Sequence, residues 1–146
     1  MKREMSYEFR VRRRTKKTPN PEPNYSELNR TGVSMDPINL FEKAEFSKDN
    51  FVPKQLHIGE TSAAVLLCFE AGQTMPLHPH PGALEVILYG LEGEGTLAIG
   101  EEEKPFKKGD LIFCRGDVPI GPKNTGRDRL LVLVILVLRK LVSPSG

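Results

Sequence analysis

Apolar residues in this chain come in short runs, punctuated by glycine, proline and acidic turns. Thr61–Glu70 (TSAAVLLCFE) reads as a strand ending at Ala71-Gly72, and Glu85–Leu91 (EVILYGL) as a second. Gly93-Glu94-Gly95 turns into Thr96–Ile99, and Gly100-Glu101-Glu102-Glu103 turns into a short strand near Phe106. Lys108-Gly109-Asp110 leads into Leu111–Cys114, and Asn124-Thr125-Gly126 into a last strand, Leu130–Leu138. Strands at this spacing, with turns built on glycine, predict an all-β sandwich or barrel. No segment sustains a period of 3.6, so helix is expected only as a turn near Asp36–Glu42.

The last strand, LLVLVILVL, is apolar at all nine positions and does not alternate. A strand of that kind is buried on both faces. One face is expected to point into a barrel. The other needs a cover: a second sheet, the N-terminal segment or another subunit. Arg139 and Lys140 close the run in charge. This pattern is the basis for expecting a homodimer.

Composition changes the picture at the N-terminus. Residues 1–34 carry nine Lys/Arg against four Asp/Glu, net +5, while residues 35–146 carry twelve against fifteen, net −3. Only eight of the first 34 residues are apolar, and Pro19, Pro21 and Pro23 interrupt them. Residues 1–34 are therefore expected to be a disordered basic tail, and residues 35–146 a single domain. A contact between that tail and nucleic acid or an acidic partner is the minor alternative to a solvated tail. No apolar run reaches the ~18–20 residues that span a bilayer, and no apolar stretch follows the first charges as in a secretory signal. Cys68 and Cys114 form no CxxC, and read as core residues of a reducing, cytoplasmic compartment.

The candidate chemistry lies in GQTMPLHPHPGALE, residues 72–85. Residues i and i+2 of a strand face the same side, about 7 Å apart, so His78 and His80 can converge on one ion. Pro79 and Pro81 stiffen the segment and remove backbone donors. Glu85, past a turn at Pro81-Gly82, could complete a set of two histidines and one carboxylate, which suits Fe(II) and related divalent ions. The competing reading is a surface or internally satisfied His pair.

This stretch resembles the first motif of the cupin superfamily: Gly, five residues, His-x-His, three or four residues, Glu, six residues, Gly. Gly72, His78, His80 and Glu85 fit it. The second motif, counted from Gly109, places Arg115, Asp117, Ile120 and Asn124 at its Pro, Gly, His and Asn positions. The resemblance covers about residues 50–138 and implies a double-stranded β-helix, the RmlC-like jelly-roll barrel. It also implies a divalent metal (Fe, Mn, Ni, Cu or Zn) on His78, His80 and Glu85, and oxygenase or isomerase chemistry on a small organic molecule.

Two departures bear on that implication. The third metal-binding His of the family is Ile120 here. Seven residues, not six, separate Glu85 from Gly93, so counting back from Gly93 puts the family's Glu at Val86. Glu85 reaches the site only if a β-bulge, expected at Tyr89-Gly90, absorbs the extra residue. Met75, Cys68 and Cys114 are candidate pocket residues beside Ile120, and His57 is the remaining histidine. The alternative to a metal enzyme is a metal-free cupin that binds a small molecule without catalysis.

Overall fold

A computed structural model describes residues 35–139. The expected basic tail, residues 1–34, lies outside the described residues, as do residues 140–146. A four-residue helix, α1 (Leu40–Lys43), is capped by Asn39, whose side chain accepts from the Glu42 N–H at 3.0 Å. Eight strands follow: β1 (Val52–Ile58), β2 (Ser62–Phe69), β3 (Ala83–Glu92), β4 (Glu94–Ile99), β5 (Glu102–Lys107), β6 (Leu111–Arg115), β7 (Ile120–Lys123) and β8 (Leu130–Leu138). They form an antiparallel five-stranded sheet, in the order β1-β2-β8-β3-β6, and a three-stranded sheet, in the order β5-β4-β7.

The last strand occupies the centre of the larger sheet, hydrogen-bonded to β2 on one side and β3 on the other. Its alternate residues Leu130, Val132, Val134 and Leu136 enter the barrel core, with Val65, Leu67 and Phe69 of β2 and Val86 and Leu88 of β3. On the opposite face, Leu131 joins Leu66 and Cys68 in a second cluster. Leu40, Ala44, Phe46, Val52 and Leu56 cover that cluster. The N-terminal segment is thus one of the expected covers. It is tied down by Arg129, whose guanidinium carbon lies 4.2 Å from the Phe46 ring centroid, and by Gln73 Nε2, which donates to the Ser47 carbonyl at 2.8 Å. Burying a Leu or Val side chain contributes about 1.5–3 kcal/mol, so a strand that fills two clusters weighs heavily in the fold's stability.

Seven of the expected elements appear within a few residues of their predicted bounds. Strands β1 and β7 are additions. β1 (VPKQLHI) carries Pro, Lys, Gln and His, and β7 (IGPK) is four residues with an internal Pro. Neither shows the apolar signal of a strand.

β3 bears on the metal question. Its register against β8 shifts twice, between Ala83 and Glu85 and between Gly90 and Glu92. The second shift falls one residue past the Tyr89-Gly90 position expected for a bulge, and it does not bring Glu85 inward. At the first, Leu84 and Glu85 are both exposed, and the buried set that follows is Val86, Leu88 and Gly90.

Candidate functional site

Residues 72–83 run alongside residues 116–124 in a broken ladder. Gly72 N–H donates to the Asn124 carbonyl (3.0 Å), Met75 N–H to that of Pro122 (3.0 Å), His78 N–H to that of Ile120 (3.2 Å) and His80 N–H to that of Gly116 (2.9 Å). Ile120 N–H returns a bond to the His78 carbonyl at 3.0 Å. Pro76, Pro79 and Pro81 have no N–H, so this segment makes two isolated bridges rather than a strand. The two segments approach so closely that a Cβ on Gly121 would lie 2.7 Å from the Met75 carbonyl oxygen. At the end of the ladder, Asn124 is 2% exposed; its Nδ2 donates to the Asp128 and Phe69 carbonyls at 2.8 and 3.3 Å. Asn124 was legible in the second motif by register, and its role here is to clamp the β7–β8 turn against β2.

The ladder brings the two histidines together. Their ring centroids are 4.6 Å apart, with the planes inclined at 39°. His78 Nδ1 lies 2.8 Å from the Pro76 carbonyl oxygen. A carbonyl only accepts, so this contact puts a proton on Nδ1. His80 is 7% exposed, and its Nδ1 is buried without a hydrogen-bond partner. Burial first, and the neighbouring His78 second, lower the His80 pKa to about 4, so the ring is neutral at physiological pH. Ile120, directly opposite His78 in the ladder, is 1% exposed, and Met75 is buried in the same core.

The other predicted residues are placed as follows. Glu85 is exposed on the outer face of β3, with Arg115 and Val137 as its cross-strand neighbours. This corrects the expectation that it joins the imidazoles: Glu85 and Val86 pair in continuous register, Val86, 0% exposed, holds the inward position, and the alternation of the strand therefore turns Glu85 outward. Cys68 lies in the outer cluster under the N-terminal segment, away from the barrel interior, which corrects its place as a pocket residue. Cys114 packs in the barrel core, and burial raises both thiol pKa values. His57 is on edge strand β1, where it packs close to Gly59.

The donor set of this site is therefore two imidazoles, with Ile and Val where a further imidazole and a carboxylate would stand. Among the described residues no group of three or more His, Cys, Asp or Glu side chains is placed to hold a metal ion. These residues do not fit the two-histidine, one-carboxylate centre.

The Cupin_2 family (Cupin domain) matches residues 65–136 of this chain. No curated protein sequence matches it. Among solved structures, it is similar to the TT1209 protein from Thermus thermophilus (27% identity, 72% of this chain and 99% of that one, TM-score 0.67). An RmlC-like cupin protein from Desulfovibrio desulfuricans is also similar (29% identity, 69% and 96%, TM-score 0.61). A double-stranded β-helix protein from Klebsiella pneumoniae shares the fold at 17% identity, over 72% and 91% of the two chains (TM-score 0.67). Among the described residues no helix is long and apolar enough to cross a membrane.

Proposed function

This is a small cupin-domain protein, and from that premise we propose that it binds a small organic molecule at the His78–His80 pair, by hydrogen bonding and without a three-ligand metal centre. The observation that carries this reading is the buried, unpartnered Nδ1 of His80. Leaving such a nitrogen unsatisfied costs about 1–3 kcal/mol, which a ligand's polar group would recover. The neutral ring offers one donor and one acceptor, and Met75 and Ile120 supply apolar surface in the same core. A compact ligand with one or two polar groups on an apolar body matches these surroundings.

Elemental analysis of the full chain, dialysed without chelator, tests the metal-free part directly. The expected result is well below one transition ion per chain, and no tight uptake when Fe, Mn, Ni, Cu or Zn is added back. Near-stoichiometric metal that disappears in the His78→Ala/His80→Ala double variant would overturn the reading in favour of a metal-dependent enzyme. Binding itself is read from the imidazole nitrogen resonances of His78 and His80 during titration with a library of small polar-apolar compounds. At least one compound should move the His80 Nδ1 signal.

A second expectation follows from the ladder. His78 and Ile120 form a hydrogen-bonded cross-strand pair, so their side chains share a face. Ile120→His would place a third imidazole beside the existing two. Zinc affinity should rise at least tenfold, about 1.4 kcal/mol, measured by competition with a chromophoric chelator. Unchanged affinity would mean that residue 120 is not the missing ligand position.

A further inference from the structure

The two segments that build the His78–His80 site bring no unpaired charge to it. Residues 72–83 (GQTMPLHPHPGA) contain no Asp, Glu, Lys or Arg. The facing residues 116–124 contain Asp117 and Lys123, and each is held by an exposed partner of opposite sign. Arg115 Nη2 donates to Asp117 Oδ2 at 2.6 Å, and Lys123 Nζ lies 2.9 Å from Glu103 Oε2. Among the described residues, the buried polar or charged ones are His80 and Asn124. Asn124 has spent its amide: Nδ2 donates to the Phe69 and Asp128 carbonyls, and Oδ1 accepts from the Gly126 N–H at 3.0 Å. Of these two residues, His80 is the one that keeps a buried nitrogen without a partner, its Nδ1.

Resting on the reading of this pair as a ligand site, we infer that the ligand presents an uncharged hydroxyl or amide group to His80, and that carboxylates, phosphates and ammonium ions are excluded. An ionised group entering this interior gives up its hydration and meets no opposite charge, a loss that one hydrogen bond does not offset. His80 supplies none, because its buried ring is neutral. A hydroxyl or a primary amide both donates and accepts, so it satisfies Nδ1 in either imidazole tautomer. Selection works by exclusion as much as by attraction: the partners of Asp117 and Lys123 occupy the charges that an ionic ligand would need, and Val86 and Ile120 put alkyl groups where a carboxylate and an imidazole would stand.

Titration of the full chain near neutral pH, read from the imidazole nitrogen resonances, tests this with two matched series. One is 3-methylbutanamide, 3-methylbutanoate and 3-methylbutylammonium; the other is benzamide, benzoate and benzylammonium. Within a series the body is constant and the charge of the head varies. At least one amide is expected to move the His80 Nδ1 resonance saturably in the millimolar range, the affinity open to so small a molecule. Its two ionic counterparts should bind at least about tenfold more weakly. A carboxylate or an ammonium that matches or exceeds the amide would overturn this inference and leave the ligand site itself standing. Silence from all six probes would overturn both. In a folded His80→Leu variant, read at the His78 resonances, the affinity for the amide should fall at least about tenfold. Unchanged affinity there would overturn the inference, because the head group would not be meeting His80.

Discussion

Gly93→Ala should cost about 2–5 kcal/mol, a large fraction of the 5–15 kcal/mol that holds a domain together. Two independent costs meet at this residue. Gly93 has φ +85°, in the left-handed region that costs an L-residue about 1–2 kcal/mol. An added Cβ would also sit 2.1 Å from the Arg129 carbonyl oxygen and 3.0 Å from both the Arg129 carbonyl carbon and the Leu130 Cα. All three are backbone atoms at the entry to β8, so relief requires moving the central strand. Gly100→Ala separates the two costs. Gly100 also has positive φ (+58°), but its Cβ would meet nothing within 4 Å. It should lose only the conformational part, about 1–2 kcal/mol. Urea denaturation of both variants against the parent chain measures the difference; equal losses would show that the close approach to Arg129 relaxes at no cost.

Acidification should destabilise the fold by about 3 kcal/mol through His80 alone. The native ring has a pKa of about 4, and the unfolded one about 6.5. Between those values the unfolded chain binds a proton that the native chain does not, so stability falls as pH falls. The contribution is fully present above about pH 6.5 and is lost progressively down to about pH 4. Denaturation midpoints across that window should drop, and His80→Gln should flatten the drop. If the variant keeps the same pH profile, the imidazole is not the titrating group. The direct check is the His80 proton resonance, which should stay in its neutral position through pH 5.

The strands that could be read from the sequence are those set off by glycine turns, as β5 is, or carried by an unbroken apolar run, β8 above all. β1 and β7 were hidden because proline and polar residues line them, and they exist through pairing with β2 and β4. The site was legible in part. His78 and His80 could be placed together from their spacing alone, because the two-residue period of an extended segment survives the intervening proline. The side taken by Glu85 could not. Val86, Ile87, Leu88 and Tyr89 are all apolar, so no alternation marks which face is inside. The reason lies in the structure: Ile87 and Tyr89 lie on the outer face of β3, opposite the buried Val86 and Leu88, and an outer face that is itself apolar erases the period-two signal. Counting back from Gly93 placed Val86 at the family's Glu position, and its burial agrees with that count. Cys68 illustrates the same limit, since either face of the fully apolar β2 run was open to it.

The central position of β8 also governs the order in which the molecule can be made. Its neighbours in the sheet, β2 and β3, are synthesised long before it, and their shared partner ends only at Leu138. Until that residue has left the ribosome, Leu66, Leu67, Val86 and Leu88 have no strand between them, and the larger sheet is two separate pieces. Closure therefore comes late and through contacts far apart in sequence, the combination that makes folding slow. A nascent chain stalled before Leu130 would present two apolar strand edges to its surroundings, the state in which chaperone capture or aggregation competes with folding.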